Sequence, residues 1–353
     1  MSDKEVKGEM KKIRAGIINV TGYTGVELAR LLWQHPNIEL VSVTGRSAAG
    51  RKLGEVFPHL ACTGLTITAE LEGAIDVVFS AMTHKASADT IIPLHKKGIR
   101  VVDISADFRL KLPSQYPEWY SFDHPAPDLL EKAVYGLPEL HRTEIKNAQI
   151  VANPGCYPTS AILALAPLVK HGLVEPDLII DSKSGVSGSG RTLSLPAHFA
   201  EQSDNVRAYG LNGHRHLPEI QQELAALDAT SNLQVTFVPH VLPMTRGILS
   251  TCYARIKPSK LTGGQEELDQ LYQQFYRGEP FTRIVQEPPE TKQTWGSNLC
   301  LLYPVMKPQA GKVIVISCID NLVKGAAGQA VQNMNIMFNF AETAGVDALP
   351  VYP

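Results

Sequence analysis

Residues 17–32 read IINVTGYTGVELARLL, and the pattern of this segment indicates the fold class. The apolar run that ends before Asn19 predicts a buried strand, and the apolar spacing after Tyr23 predicts a helix. A short turn of small residues separates them. A strand joined to a helix in this way is typical of the first unit of a parallel sheet, and the free N–H groups at the start of such a helix can bind phosphate.

The turn departs from the usual Gly-x-Gly-x-x-Gly pattern at its first position. Gly22 and Gly25 supply two of the permissive positions, whereas Asn19 stands near the third. Asparagine tolerates a positive φ better than any residue except glycine. The pattern therefore favours a dinucleotide site over a tight turn without a ligand. The residues predicted to bind the cofactor here are Thr21, Gly22, Tyr23, Thr24 and Gly25.

The end of the next strand indicates which dinucleotide binds. Sites for NAD place an acidic side chain there to bind the ribose hydroxyls. In IELVSVTGRSAAGRK (38–52) the strand should end near Thr44, and Arg46 and Ser47 follow instead, with Arg51 and Lys52 beyond them. Cations without a carboxylate favour a 2′-phosphate, so we predict NADP(H) as the cofactor.

The bulk composition is that of a globular protein. The chain has 353 residues, 44% of them hydrophobic and 19% charged, with a net charge of −2. This length suits two domains, and the charge gives no reason to expect nucleic acid or a membrane as a partner. The charged start, MSDKEVKGEMKKIR, lacks the apolar core of a signal peptide and is predicted to be a frayed tail. Five scattered cysteines without a CxxC pair favour the cytoplasm and give no metal site.

The pattern along the chain predicts an α/β protein with two kinds of sheet. Up to residue 155, apolar strands alternate with helical segments, which indicates a Rossmann, doubly wound parallel sheet. Residues 110–148 interrupt this alternation with prolines and aromatics and are predicted to be an ordered connection. Beyond Pro154, strands dominate and predict an α+β domain with a mixed sheet. We expect residues 1–155 and 322–353 to form the first domain, with the C-terminal helix packed back on it, and residues 156–321 to form the second.

One cysteine stands in a setting that favours reactivity. In VANPGCYPTSAILALAPLV, Cys156 follows Pro154-Gly155 at the predicted start of a helix. The positive end of the helix dipole and its unpaired N–H groups lower the pKa of a thiol and favour the nucleophilic thiolate. We therefore predict that Cys156 is a nucleophile and that the other four cysteines are inert.

A thiolate beside a nicotinamide indicates acyl chemistry, in which a thioester is reduced by hydride. That chemistry needs a proton donor and acceptor, and NGHRHLPEI offers His214 and His216. Spacing alone does not choose between the two, and we favour His216. The substrate should be anionic. Cations that stand at predicted element ends are candidate ligands for it: Arg109, Lys183, Arg191 and Arg246.

Seven motifs together carry a resemblance to a known family. They are TGYTGVELARLL, DISADFR, NPGCYPTS, SGVSGSGR, GHRHLPEI, PHVLPMTRG and DNLVKGAAGQAVQNMN. The chain resembles the N-acetyl-γ-glutamyl-phosphate reductases of arginine biosynthesis, within the aspartate-semialdehyde dehydrogenase-like superfamily. Asn19 is a departure, because the family usually has glycine there.

The resemblance implies NADPH-dependent reduction of an acyl phosphate through a thioester on Cys156, in a homodimer or homotetramer. It implies that Arg109 binds the substrate phosphate and that Asn321, Lys324 and Gly325 lie near the nicotinamide. We also assign Glu219 to the substrate site and Ser187 and Gly188 to the cofactor site.

Three other functions remain open at this point. An aspartate-β-semialdehyde dehydrogenase, or a reductase of carrier-bound aminoadipyl phosphate, would share the thiol, the histidine and the cofactor. A non-catalytic NADP sensor would have no use for the thiol or the histidine pair.

Overall fold

The computed structural model describes residues 12–230 and 232–353. Residues 1–11, most of the charged N-terminal segment, lie outside the described residues. The predicted frayed tail therefore falls outside the described part of the chain. No helix among the described residues is both long enough and apolar enough to cross a bilayer.

The first sheet is parallel throughout, with strand order β3-β2-β1-β4-β5-β7-β6. Its central strands are apolar on both faces because helices cover both sides, and all four residues of β4 are buried. The strands are β1 (Ile13–Ile18), β2 (Ile38–Thr44), β3 (Ile67–Thr68), β4 (Val77–Ser80), β5 (Arg100–Asp103), β6 (Val134–Tyr135) and β7 (Ile150–Ala152). The helices are α1 (Tyr23–Trp33), α2 (Leu53–Val56), α3 (Ala86–Lys96), α4 (Gln115–Tyr120), α5 (Pro127–Lys132) and α6 (Pro138–Asn147).

The segment 110–148 is more regular than its composition indicated. It contains α4, α5 and α6, and it also supplies β6, an edge strand of the parallel sheet. Pro127 and Pro138 each stand in the first turn of a helix, where the missing N–H costs nothing. The prolines of this segment led to the prediction of a connection, but two of them, Pro127 and Pro138, stand at the start of helices.

The second sheet is mixed, with strand order β12-β13-β14-β11-β8-β10-β9. Its strands are β8 (Val174–Gly185), β9 (Arg207–Ala208), β10 (Gln234–Leu242), β11 (Ile248–Ile256), β12 (Thr282–Ile284), β13 (Cys300–Lys307) and β14 (Lys312–Ile319). The helices of this region are α7 (Cys156–Lys170), α8 (Phe199–Gln202), α9 (Leu217–Leu227) and α10 (Gly264–Phe275). Helix α7 packs on one face, where Ser160 donates to Ser250 across the contact at 2.9 Å. The predicted fold class, a Rossmann sheet followed by a mixed-sheet domain, is confirmed.

The chain ends against the first sheet. A π-helix (Val323–Ala327) follows β14 and continues into α11 (Gly328–Met337). Ala330 and Met334 of α11 lie in the same apolar cluster as Ala15 and Ile17 of β1. The junction between the two sheets therefore consists of two segments, the Gly155 turn before α7 and the π-helix.

Candidate active site

A cleft of about 1470 Å³ lies at the carboxyl ends of β1, β2 and β4. In an open parallel sheet, ligands bind at the carboxyl ends of the strands, at the point where the strand order reverses. The cleft is lined by every residue predicted to bind the cofactor except Lys324, namely Thr21, Gly22, Tyr23, Thr24, Gly25, Arg46, Ser47, Ser187, Gly188, Asn321 and Gly325.

The loop before α1 has the geometry of a phosphate site. Asn19 has φ of 65°, the left-handed conformation predicted for it, and its amide donates to the Ala81 carbonyl at 2.8 Å. A Cβ on Gly25 would stand 2.4 Å from the Asn19 carbonyl oxygen, so only glycine lets α1 approach β1 this closely. The first turn of α1 has no side-chain cap and no acidic residue. Its unpaired N–H groups therefore fit a pyrophosphate.

A smaller cavity of about 490 Å³ adjoins the cleft, and Cys156 lines both. Cys156 is the first residue of α7, as predicted, and follows the uncapped N-cap Gly155. The π-helix fixes its position from the other side, because a Cβ on Gly325 would approach the Cys156 Cβ to 2.8 Å. Arg109 and His216 also line both spaces.

The protonation of Cys156 differs from the sequence-based expectation. Burial raises the pKa of its thiol to about 11, and the Tyr157 N–H and the Arg109 charge offset only part of this effect. The helix start does act in the expected direction, but desolvation of the thiolate outweighs it. The thiol is therefore protonated in the free protein and needs a base when it reacts.

The side chains of His214 and His216 both line the smaller cavity. The His216 imidazole packs against Gly155, since a Cβ there would meet His216 Nε2 at 2.5 Å. Burial, together with His214, Arg109 and Arg215, holds the pKa of His216 well below its usual value, and His216 Nδ1 is buried without a partner. His214 lines only the smaller cavity, and its Nδ1 accepts from the His216 N–H at 3.1 Å. Burial and Arg215 lower the pKa of His214 to about 4. Both rings are neutral near pH 7.

Glu219 is not on the surface of the substrate cavity. It is fully buried, and its carboxylate accepts the Gly155 N–H at 2.8 Å and the Tyr135 hydroxyl at 2.7 Å. It also lies 3.3 Å from Arg109 NH1. The prediction that it contacts substrate is corrected, because Glu219 instead fixes the turn before Cys156 and orients Arg109.

Three other predicted ligands are also placed elsewhere. Lys183 extends from the side of β8 opposite α7 and pairs with Asp181 at 3.0 Å. Arg246 joins Glu27 at 2.9 Å to Asp320 at 3.4 Å, outside both cavities. Arg191 lies at the phosphate loop, where it donates to the Thr21 carbonyl and stacks on Phe57, so it borders the cofactor cleft.

The prediction that Lys324 contacts the cofactor is corrected by its position. It is fully buried and pairs with Glu139 at 2.8 Å, away from the cleft. A lysine beside a glycine-rich segment seemed available to a phosphate, but the π-helix turns its side chain into the interior. Among the described residues, no group of three or more histidine, cysteine or acidic side chains could hold a metal ion.

The structure adds three residues that sequence reasoning missed: His84, Tyr120 and Arg215 all line the smaller cavity. Arg215 stands between the two histidines and was treated only as their neighbour. His84 follows β4, and the rule that the carboxyl ends of parallel strands share one edge could have found it. Nothing local in the sequence indicates Tyr120, which arrives through the fold of segment 110–148.

Comparisons with known proteins agree with this arrangement. Residues 14–148 match the family model described as semialdehyde dehydrogenase, NAD binding domain, and residues 156–321 match semialdehyde dehydrogenase, dimerisation domain. Aspartate semialdehyde dehydrogenase II from Vibrio cholerae shares the fold, with a TM-score of 0.70 at 14% identity over 94% of this chain and 99% of that one. The enzyme from Candida albicans gives a TM-score of 0.70 at 15% identity, covering 93% of this chain and 99% of its own.

Two curated relatives are much more similar in sequence. The N-acetyl-γ-glutamyl-phosphate reductase of Dehalococcoides mccartyi is 57% identical over 98% of this chain and 100% of its own length. That of Heliobacterium modesticaldum is 48% identical over 97% of this chain and 100% of its own. The chain therefore belongs to the N-acetyl-γ-glutamyl-phosphate reductase family.

Proposed function

We propose that this protein reduces N-acetyl-L-glutamyl 5-phosphate to N-acetyl-L-glutamate 5-semialdehyde and phosphate with NADPH, a step of arginine biosynthesis. The observation that carries the proposal is the position of Cys156. The thiol stands where a large cleft with an uncapped helix start meets a smaller cavity lined by Arg109, Arg215 and three histidines. An acyl group in the smaller cavity could therefore reach the thiol at the boundary with the large cleft.

The reaction begins with the protonated thiol. Cys156 Sγ attacks the acyl carbon while neutral His216 takes the thiol proton, and the bond to phosphate breaks, which leaves a thioester. NADPH, when bound in the large cleft, supplies the hydride that reduces this thioester. His216 then returns its proton as the C–S bond breaks, so the aldehyde leaves and the thiol is restored. Glu219 holds the Gly155 turn in place throughout.

His216 is the acid/base of the pair in this proposal. It lines both spaces together with Cys156, whereas His214 lines only the smaller cavity. The lowered pKa of His216 keeps its ring neutral near pH 7, and its Nε2, which packs against Gly155 next to Cys156, is the nitrogen that would accept the proton. His214 accepts the backbone N–H of His216 and so positions it.

NADP(H) is the proposed cofactor because Arg46 lines the cleft just after β2 and makes no ion pair with any carboxylate of the described residues. Arg51, by contrast, pairs with Glu55 and does not line the cleft. Glu70, which follows β3, also lines the cleft. The free guanidinium of Arg46 is the group that would bind a 2′-phosphate.

The proposed domains are 1–155 with 322–353, and 156–321. Supporting this, α11 shares a core with β1, and the dimerisation-domain model begins at Cys156. We propose that a homodimer or homotetramer forms through the face of the mixed sheet opposite α7, which presents Ile179, Val238 and Tyr253. All five cysteines are free, which supports a cytoplasmic location.

The test is a phosphate-dependent reduction of NADP+ with N-acetylglutamate semialdehyde, on the wild type and on Cys156→Ser. The wild type should turn over, and the variant should lose activity while keeping its affinity for NADP+. Aspartate semialdehyde and aminoadipate semialdehyde on its carrier serve as comparison substrates. A higher kcat/KM with either comparison substrate would refute the proposed specificity, and full activity of Cys156→Ser would refute the mechanism.

A further inference from the structure

Arg215 is a cation in the smaller cavity that no carboxylate of the described residues neutralises. Its side chain is exposed, and its NH1 group donates to His84 Nδ1 at 2.9 Å. It forms no ion pair with any acidic residue in the described part of the chain. A guanidinium held against a cavity with most of its donors unused is suited to bind an anion.

Arg109 differs from Arg215 in this respect. Its Nε donates to the Asn153 carbonyl at 2.8 Å, its NH2 to the Ile104 carbonyl at 2.8 Å, and its NH1 lies 3.3 Å from Glu219. Each nitrogen therefore already has a partner within the protein. Arg109 contributes its charge beside Cys156 but has few donors left for a second anionic group.

Arg215 is held in place by residues from the region of the first sheet. The Tyr120 hydroxyl donates to the Arg215 carbonyl at 3.3 Å, and the Tyr120 and His84 rings lie 5.8 Å apart. Burial, and then the Arg215 charge, lower the pKa of His84, so its ring is neutral and can accept from the guanidinium. The corner formed by His84, Tyr120 and Arg215 is thus built before any ligand binds.

The position of this corner distinguishes the two anionic groups of the substrate. The phosphate is bonded to the carbon that Cys156 attacks, so it must lie near the thiol. The α-carboxylate lies at the other end of the molecule. Arg109 lines both spaces together with Cys156, whereas Arg215 lines only the smaller cavity.

We propose that Arg215, oriented by His84, binds the α-carboxylate of the substrate and selects carboxylated acyl groups over those that lack it. The proposal rests on the proposed function and deepens it. His84 is a positioning residue here, since it acts through the guanidinium.

The test compares two aldehydes in the phosphate-dependent reduction of NADP+. N-acetylglutamate semialdehyde carries the carboxylate, and 4-acetamidobutanal is the same molecule without it. For Arg215→Gln we expect kcat/KM to fall about 10- to 100-fold with the carboxylated aldehyde, mainly through KM, as for loss of a hydrogen bond to a charged group. With 4-acetamidobutanal the variant should match the wild type. His84→Asn should give a smaller loss with the same selectivity.

Arg277→Gln is the matched control, because Arg277 is exposed at the end of α10 and lines neither cavity. It should leave both aldehydes unaffected, and an unchanged KM for NADP+ in Arg215→Gln reports an intact fold. A raised KM for phosphate with an unchanged KM for aldehyde would mean that Arg215 serves the phosphate, and would overturn the proposal. Equal losses with the two aldehydes would overturn it too. The wild-type rate tests the proposed function, whereas the ratio of the two aldehydes in the variant tests Arg215, so the two can fail separately.

Discussion

At the scale of single residues, the reactive cysteine is governed by two opposed effects. Its place at the start of α7 stabilises a thiolate, while its contact with Gly325 and its partial enclosure remove water from the sulfur. The second effect wins, and the pKa of Cys156 rises to about 11. A protonated resting thiol is protected from oxidation and reacts when a base accepts its proton.

Alkylation of Cys156 should therefore become faster with pH well beyond neutrality. Because only the thiolate reacts, the rate with iodoacetamide should rise about tenfold per pH unit below the pKa and should not level off before about pH 10. The measurement is the rate of adduct formation by mass spectrometry, in a Cys62→Ser background because Cys62 is exposed. Cys156→Ser in the same background gives the baseline. A plateau between pH 7 and 8 would show that the thiolate already exists in the free enzyme.

Arg46 is the residue that we propose determines the preference for NADPH over NADH. Replacing it with alanine removes the free cation after β2, so we expect the KM for NADPH to rise about tenfold or more, with the KM for NADH nearly unchanged. Steady-state kinetics with both cofactors measures this. Arg51→Ala is the control, because Arg51 pairs with Glu55 outside the cleft. Equal changes for the two cofactors would mean that Arg46 does not contact the 2′-phosphate.

At the scale of elements, the π-helix packs directly against Cys156. Gly325 packs on Cys156, and the next residue toward the N-terminus, Lys324, points the other way into the interior. There Lys324 pairs with Glu139 and donates to Gln332 at 3.0 Å. Adjacent residues of a helix point in different directions, so Gly325 faces Cys156 while Lys324 faces the interior, and this explains why a lysine expected at the cofactor is buried.

Breaking the buried pair should destabilise the protein more than removing both charges. Lys324→Met leaves the Glu139 carboxylate buried without a cation and should lower the free energy of unfolding by about 3 to 5 kcal/mol. Adding Glu139→Gln removes the stranded charge, so the double variant should regain much of that loss. Urea unfolding followed by circular dichroism measures both.

If the losses of Lys324→Met and Glu139→Gln simply added in the double variant, the two side chains would not be energetically coupled. The Lys324–Glu139 ion pair would then not contribute to the stability of the π-helix.

At the scale of the whole molecule, no layer formed by residues 12–230 and 232–353 covers one large surface. Helix α7 and its neighbours bury one face of the mixed sheet, whereas the opposite face carries half-buried or exposed apolar side chains, with Ile179 40% exposed. A sheet face of this kind is suited to pack against a second copy.

Ile179→Lys should weaken the proposed dimer. In a two-fold dimer the substitution is present in both subunits, so two charges would be buried at the interface. The dissociation constant should therefore rise at least about tenfold. Size-exclusion chromatography with light scattering over a dilution series measures this. Leu112→Lys is the control, because Leu112 is similarly exposed but lies in the region of the first sheet. An unchanged dissociation constant for Ile179→Lys would place the interface elsewhere.

The parallel sheet and the phosphate loop could be predicted because their signals are local. Continuous apolar strands, the turn at Asn19 and the cysteine at a helix start each depend on a few neighbouring residues, and the structure has them where the sequence indicates. The ligands for the substrate were harder to predict. Arg246 and Lys324 are each neutralised by an acidic partner distant in sequence, Glu27 and Glu139, and no local pattern shows such a partner. Lys183 pairs with Asp181 only two residues away, but the strand directs both side chains away from the cavities.

Local signals in the chain are sufficient to predict the alternation of strands and helices before residue 110, the conformation at Asn19 and the location of Cys156 at the start of α7, because backbone preferences and helix ends are set within one or two turns of chain. Tertiary packing, in contrast, determines which cations lack an acidic partner among the described residues, which histidine lines both cavities with Cys156, and why the pKa of that thiol is raised. These properties depend on desolvation and on charges brought together across hundreds of residues, and both effects arise only when the two sheets pack around the Gly155 turn.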